Sequence, residues 1–273
     1  MAIFSGKNFK GLLGGLAFRQ LDGRTIVQTA PGKGGVRQTV ATKERSIEFG
    51  IASATNKAIR ICFNSLHERL VGKKMPQRLQ NIVSTIIRTN SRWERGKGEL
   101  TGGDVGLLSG FNFNANPPFE KVFLPQIESV VGEDETLKVI VPSFIPQNAL
   151  VIPFSASECV LRLQVIAFDF AQEVYKEIGE EEASFPVNGE RVEGLSFTFE
   201  AEGLKDTVIM AGIALEFYTP ARRGSILLNT NDFSPCLLLK AYNLENDHPH
   251  TSRWYDMPGY RATRNELKGR KLK

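Results

Sequence analysis

The sequence predicts an α+β protein in which an N-terminal β-hairpin arm and an αα-hairpin precede an immunoglobulin-like antiparallel β-sandwich and an extended C-terminal tail. Three observations support this class. An Asp-Gly dipeptide separates two alternating segments, a helical period of apolar residues follows, and seven short alternating segments fill the second half. The predicted divisions are a glycine-rich arm over 1–41, a basic αα-hairpin over 42–95, a Gly/Asn/Pro-rich linker over 96–119, an acidic sandwich over 120–245 and a basic aromatic tail over 246–273.

The arm is built around the segment LAFRQLDGRTIVQTA. Asp22-Gly23 supplies the two residues of a type I′ turn, whose twist matches that of paired strands. The alternation predicts two faces on the strand before the turn, one with Leu16, Phe18 and Gln20 and the other with Ala17, Arg19 and Leu21. A lone hairpin is marginally stable in water, so we expect the arm to lie on another surface.

The helical segment follows, with apolar residues at steps of three and four. Thr42 is the predicted N-cap of the first helix and Gly72 its C′ residue, while Pro76 opens the second helix at a position that needs no N–H. The connection between them is short, which favours antiparallel neighbours. The predicted buried stripes are Ile47, Ile51, Ala54, Ala58, Cys62, Leu66 and Leu70 in the first helix, and Leu79, Ile82, Val83, Ile86 and Ile87 in the second.

The second half of the chain has a period of two, typical of strands. Its seven segments are rich in β-branched and aromatic residues and are separated by Gly, Pro, Asn and Asp, which predicts a two-sheet sandwich. Residues 172–193 are predicted to form a long acidic loop between strands. The seven strand segments are KVFLPQIESVV, TLKVIVPSF, ECVLRLQVIAFDF, LSFTFEAEG, DTVIMAGIALEFYT, GSILLNTND and SPCLLLKAYNL.

The glycine-rich stretch over 95–119, RGKGELTGGDVGLLSGFNFNANPPF, contains no motif of a phosphate-binding loop. Such loops need GxxxxGK[ST] or GxGxxG between a strand and a helix, whereas this stretch runs into Pro117-Pro118. It lies where the hydrophobic period changes from helical to strand-like. We therefore interpret it as the connection between two halves of the chain.

The same stretch resembles a segment of an uncharacterised family of Bacteroidota proteins, a domain of unknown function. Two further segments are similar to that family, the hairpin GLLGGLAFRQLDGRTIV and residues 144–170, FIPQNALVIPFSASECVLRLQVIAFDF. The resemblance implies a glycine-rich hairpin, a helical stretch and a β-rich half. It implies no catalytic residue, so it leaves the function open.

Charge is distributed unevenly, although the net charge is +4. Residues 1–100 carry a net +12, residues 101–250 a net −13, and the last 23 residues a net +5. This asymmetry indicates a charged partner, and a second copy of the chain is one such partner. No secretory or membrane-spanning segment stands out, and three distant cysteines indicate reduced thiols. We expect a protein without membrane contact, located in the cytoplasm or in a virion-like particle assembled there.

The residue types that carry catalysis or bind metals are sparse. His67 is interpreted as a helix-end histidine on a polar face, and the His248/His250 pair lacks the further ligands that zinc needs. The glutamates near 180 lack the spacing of a calcium loop. We therefore predict no catalytic residue, no cofactor and no metal site, and a protein that is not an enzyme.

The leading hypothesis is a non-enzymatic structural protein that self-assembles or joins a larger phage-virion, injection-apparatus or filament-like assembly. Aromatic residues and arginine often dominate interfaces, so the predicted contact residues are Phe18, Arg19, Arg24 and Ile26 on the hairpin and Trp254, Tyr255 and Tyr260 on the tail. The acidic loop is predicted to receive the basic arm through Glu177, Glu180, Glu181 and Glu182.

Alternatives remain open at this point. In the first alternative, the aromatic residues of the tail pack on their own domain. In another, the basic residues within 1–100 bind nucleic acid, although no known nucleic-acid-binding motif organises them. In a third, the sandwich binds a carbohydrate or a peptide with its loops.

Overall fold

The computed structural model describes residues 2–6, 8–21, 23–30, 32, 38–68, 70–94, 96–132, 136–200, 206–244 and 254–258. It is an α+β protein with antiparallel sheets, which confirms the predicted fold class. The chain divides into two compact units, Met1–Lys43 and Glu44–Lys273. Each unit is described by itself.

The first unit is a four-stranded antiparallel sheet in the order β1-β2-β3-β4. The predicted hairpin is confirmed as β3 and β4, because Leu21 pairs with Arg24 across a two-residue loop in which Gly23 has φ +76°. The first two strands were not predicted, so the arm is a sheet of three successive hairpins. The strands are β1 Ala2–Ser5, β2 Asn8–Leu13, β3 Leu16–Leu21 and β4 Arg24–Thr29.

Two helices and a short helical turn form the predicted αα-hairpin: α1 Val40–Cys62, α2 Asn64–His67 and α3 Met75–Thr89. The N-cap prediction is corrected, since the Thr42 N–H donates to the Thr39 hydroxyl at 3.2 Å and Thr39 therefore caps α1. Gly72 is not a C′ residue, because the helical stretch already ends at His67, with Glu68 left-handed at φ 46°. Pro76 lies in the first turn of α3, as predicted.

The second unit contains two antiparallel sheets. The larger has the order β14-β9-β8-β11-β13-β5, with β12 beside the end of β11, and the smaller has the order β10-β7-β6. All seven predicted strand segments contain strands. The strands are β5 Phe111–Asn112, β6 Glu128–Val131, β7 Thr136–Val141, β8 Glu158–Asp169, β9 Val174–Pro186, β10 Leu195–Glu200, β11 Thr207–Ala221, β12 Gly224–Leu227, β13 Cys236–Leu244 and β14 Tyr255–Asp256. Two short helices, α4 Phe119–Val122 and α5 Pro146–Ala149, lie in the connections.

The large sheet is covered on both faces. One face shares an apolar cluster with the small sheet, in which Val139 of β7 joins Leu163 of β8 and Ile213 of β11. The other face shares a second cluster with the helices, where Ile59 and Leu79 meet Met210. Because β11 is buried from both sides over residues 207–217, its sequence is a continuous apolar run rather than a strict alternation. The second unit therefore has three layers, with the helices outside the sandwich.

The structure corrects the predicted linker over 96–119. This segment forms a 3-10 turn at Val105–Leu108 and strand β5, which pairs with β13. The glycines supply its turns, while apolar residues of the same segment anchor it to the helix-side cluster. The buried anchors are Leu100, Val105, Leu108, Phe111 and Phe113.

The predicted acidic loop over 172–193 is also wrong, because most of it is strand β9, which pairs with β8 along its length. A β-bulge between Val165 and Ile166 shifts the register, and beyond it the carboxylates alternate as strand geometry requires. Glu180 and Glu182 lie on the helix-side face, while Glu181 lies on the opposite face.

The three cysteines are free thiols, two of them fully buried. The pKa of Cys62 is raised to about 12, chiefly by burial and also by the nearby Glu177 carboxylate. Burial also raises the pKa of Cys159 and Cys236. The thiolate is the reactive form, so all three are expected to be poor nucleophiles in the folded protein.

A thiol-specific disulfide reagent at pH 8 is expected to react with the native protein at least a hundredfold more slowly than with the denatured protein, in which all three cysteines react. The expected cause is the raised pKa of Cys62 together with the burial of Cys159 and Cys236. Absorbance of the released thiolate measures the rate. The variant Cys62→Ser identifies the first thiol to react, and a native thiol that reacts as fast as a denatured one would contradict the prediction.

Candidate association surfaces

One face of the N-terminal sheet is rich in apolar side chains, most of them solvent-exposed. Cross-strand pairs place its members on one side, since Phe4 pairs with Phe9 and Phe18 pairs with Val27. The rings form a row, with 4.7 Å between the centroids of Phe4 and Phe9 and 5.6 Å between those of Phe9 and Phe18. Phe4 is 60% exposed and Leu13 is 58% exposed. We call this surface the aromatic face; it comprises Phe4, Phe9, Leu13, Leu16, Phe18 and Val27.

The opposite face of the same sheet mixes apolar residues with cations. Arg19 lies directly across from Ile26, and Arg24 lies on the same side two pairs further along. Both arginines are exposed and Ile26 is half-buried. We call this surface the cationic face; it comprises Ile3, Lys10, Leu12, Arg19, Leu21, Arg24 and Ile26.

The four hairpin residues predicted from the sequence are therefore divided between two surfaces. Phe18 lies on the aromatic face, whereas Arg19, Arg24 and Ile26 lie on the cationic face. Sequence reasoning missed Phe4, because strand β1 was not predicted. It missed Phe9 and Leu13 of the aromatic face for the same reason, since β2 was not predicted either. A signal was present, because Gly6-Lys7 and Gly14-Gly15 separate short alternating segments as turn dipeptides do.

The charge of the chain is concentrated in this first unit. Residues 1–43 carry seven Lys/Arg and one Asp, a net of +6, while residues 44–273 carry 27 Lys/Arg and 29 Asp/Glu, a net of −2. The first unit is therefore strongly cationic, while the second is close to neutral overall.

The four predicted acidic residues are all exposed on β9, but they differ in their partners. Arg162 forms an ion pair with Glu180, and the Gln164 amide donates to Glu177 at 2.9 Å. Within the described part of the chain, Glu181 and Glu182 form no ion pair. Two of the four carboxylates are thus used inside the domain, and two remain available for a partner.

Arg162 is the centre of a polar network on the helix side of the large sheet. Its guanidinium donates to Glu216 at 3.0 Å, binds Glu180 and lies 3.9 Å from a Glu68 oxygen. Burial lowers the pKa of Arg162, but the hydrogen bonds and charges of Glu216 and Glu180 outweigh it and raise the pKa overall. The Tyr218 hydroxyl donates to the second Glu216 oxygen at 2.7 Å, and burial together with this bond raises the pKa of Tyr218.

The described part of the C-terminal tail folds back on its own domain. Strand β14 pairs with the start of β9, and the Met257 N–H donates to the Glu173 carbonyl at 2.9 Å. Trp254 packs against the cluster between the two sheets, so the alternative that it contacts its own domain holds. Tyr255 lies 5.8 Å from the Tyr175 ring and is 48% exposed, whereas Tyr260 lies outside the described residues.

A cavity of about 380 Å³ lies where α3 begins, lined by Lys73, Lys74 and Arg78 with one carboxylate, Asp232. Arg78 donates to the Asn112 carbonyl at 2.7 Å and lies 4.9 Å from the centroid of the Phe111 ring. Burial lowers the pKa of Arg78. This cationic cavity gives an anionic group room to bind within the basic segment.

The histidine interpretation is corrected, because His67 is buried rather than on a polar face. Its Nε2 lies 3.2 Å from the Arg60 carbonyl and its ring centroid lies 5.1 Å from that of Phe113. Burial is the largest cause that lowers the pKa of His67. The described residues include no group of three or more His, Cys, Asp or Glu side chains that could hold a metal ion, and His248 and His250 lie outside them.

No family model matches this chain, and no curated protein matches it. Among the described helices, none has the length and apolar character needed to cross a membrane.

Proposed function

We propose that this protein is a structural subunit that assembles with further copies of itself through its N-terminal sheet. The aromatic face is the proposed contact surface, and it packs against the aromatic face of a second copy. An assembly of the kind found in virions, injection machines or filaments is the proposed setting, and no catalytic role is assigned.

The exposure of the aromatic face is the observation that carries the proposal. A single-layer sheet has no second layer to cover its side chains. Phe4, Leu13 and Val27 therefore each leave half or more of their surface in solvent. Burial of apolar surface contributes about 25 cal/mol per Å², so these side chains offer several kcal/mol to a contact that covers them. Sheets commonly solve this problem by packing face to face about 10 Å apart. A second copy presents a face of the same shape and chemistry, as a two-fold interface requires.

The triple variant Phe4→Ser, Leu13→Ser, Val27→Thr tests this proposal. We expect it to weaken association by about a hundredfold, because three apolar side chains leave the contact. Light scattering coupled to size-exclusion chromatography measures the mass against the 30.3 kDa of one chain. The matched control on the cationic face is Ile3→Ser, Leu12→Ser, Leu21→Ser, which removes similarly exposed apolar side chains from the same sheet. A wild-type protein that stays monomeric at high concentration would refute the proposal, and so would an unchanged mass in the aromatic-face variant.

Nucleic-acid binding is the second candidate, supported by the cationic cavity. Lys73 and Lys74 form no ion pair within the described chain, and each phosphate contact made by such residues makes binding salt-dependent. The variant Lys73→Gln, Lys74→Gln would then lower affinity for a single-stranded oligonucleotide and reduce its salt dependence. No measurable binding by the wild type at low salt would remove this candidate.

A further inference from the structure

The large sheet has one long edge beside which the structure describes almost no strand. In the order β14-β9-β8, strand β8 pairs with the inner side of β9, while β14 covers only Val174 and Tyr175 on the outer side. Within the described chain, residues 177–186 of β9 therefore have no strand on their outer side. An exposed edge of this length presents a row of backbone N–H and C=O groups that another strand can pair with.

The side chains of this edge determine which strand it admits. Glu181 and Glu182 are exposed, form no ion pair in the described part of the protein, and point to opposite faces of the sheet. Like charges directly opposite each other destabilise strand pairing, so two copies of this edge repel one another. A strand that carries a cation is attracted instead. Because successive residues of β9 alternate between the two faces, a carboxylate is available to that cation on whichever face it lies.

The first unit contains a strand with the matching properties. Strand β4 is the last strand of its sheet, so one of its sides has no neighbour within that sheet. It begins at Arg24, and Arg19 on the adjacent strand lies on the same face. Its other residues, TIVQT, are mostly β-branched and suit an extended pairing.

We propose that the outer edge of β9 in one copy pairs with β4 of the N-terminal sheet of a second copy, with Glu181 or Glu182 beside Arg24 and with Arg19 one strand further away on the same face. This inference rests on the proposed function and names a second contact within the same assembly. Backbone hydrogen bonds provide the affinity of such strand addition, and the side chains provide its selectivity. Because each copy has one donor strand and one acceptor edge, the contact is heterologous and continues into a ring or a filament.

A charge exchange tests the pairing. We expect Glu181→Lys, Glu182→Lys to weaken association at low salt at least tenfold, and Arg19→Glu, Arg24→Glu to weaken it similarly. Mixing the two variants restores the contact, because each donor strand then meets an acceptor edge of opposite charge. The matched control is Glu128→Lys, Glu200→Lys, which makes the same charge change at exposed glutamates on the edge strands of the small sheet. Analytical ultracentrifugation measures the association constants. Equal weakening by the control, or no restoration in the mixture, would overturn the proposal.

Hydrogen exchange locates the contact independently. Alternate amides of an antiparallel strand point away from its partner, so the informative amides in residues 177–186 and in β4 are those that do not bond β8 or β3. In the assembled wild type these outward-facing amides are expected to exchange at least tenfold more slowly than in dilute monomer. Protection of the outward-facing β9 amides already present in the monomer would mean that another part of the same chain covers the edge, and the proposal would fail. Assembly without protection of β9 would also overturn the pairing. If the aromatic-face variant abolishes assembly but the charge variants do not, the proposed function stands and the β9–β4 pairing fails.

Discussion

Replacing Arg162 by methionine is expected to lower the free energy of unfolding by about 3–5 kcal/mol, the usual cost of removing one partner from a buried ion pair. Glu216 is 6% exposed and accepts a hydrogen bond from the guanidinium at 3.0 Å, so the variant leaves a buried carboxylate without its counter-charge. Glu180 loses its cation as well. Methionine fills a similar volume, which separates the loss of charge from the creation of a cavity.

Denaturant unfolding followed by circular dichroism measures this effect, with Arg162→Lys and the double variant Arg162→Met, Glu216→Gln as comparisons. Arg162→Lys keeps the positive charge but not the forked geometry, so we expect it to lower the free energy of unfolding by less than Arg162→Met does. The double variant removes the stranded charge and is expected to recover part of the loss. A change below about 1 kcal/mol in Arg162→Met would mean that water screens the network and that it contributes little.

The sequence predicted the seven strand segments because their side chains alternate or form short apolar runs, and these patterns follow from local geometry. Strand β9 escaped prediction for a physical reason. It is an edge strand, so Glu181 and its neighbours face solvent and the apolar period that marks a strand is absent. The pairing with β8 determines its conformation, and that pairing is not visible in the segment itself.

The glycine-rich stretch over 96–119 misled the prediction in the opposite way. Its glycines indicated a linker, whereas three apolar residues of the same stretch, Leu100, Leu108 and Phe113, are fully buried. Glycine density reports turns and does not report burial. The apolar residues contact the helix-side cluster through neighbours distant in the sequence, which only the fold brings together.

The candidate surfaces were predictable in part. The alternation that places Phe18 and Arg19 on opposite faces of the hairpin was predicted and is confirmed. The ion pairs of Arg162 were not predictable, since they join positions 18 and 54 residues apart on three strands. The sequence therefore identified the acidic residues of β9, but it did not distinguish Glu180, which is paired internally, from Glu182, which is not.

Replacing Gly212 by valine is expected to lower the free energy of unfolding by about 1–3 kcal/mol or more, the cost of overpacking a core. Gly212 lies on the helix-side face of β11, where a Cβ atom would approach Leu66 Cδ2 to 2.5 Å and Phe63 Cε1 to 2.9 Å. Both neighbours are almost completely buried, so neither has free space to move into. The helical segment from Phe63 to Leu66 must then shift away from the sheet.

The graded series Gly212→Ala, Gly212→Val and the double variant Gly212→Ala, Leu66→Ala tests this steric account by thermal and denaturant unfolding. Leu66→Ala alone is expected to cost about 2–5 kcal/mol through the cavity it leaves. If the two positions compete for the same space, the double variant costs less than the two single variants together, with a coupling of at least 0.5 kcal/mol. Gly15→Ala is the matched control, because nothing lies within 4 Å of a Cβ atom there. Strict additivity in the double variant would contradict the predicted contact and would require a different reason for the glycine in the middle of an otherwise apolar strand.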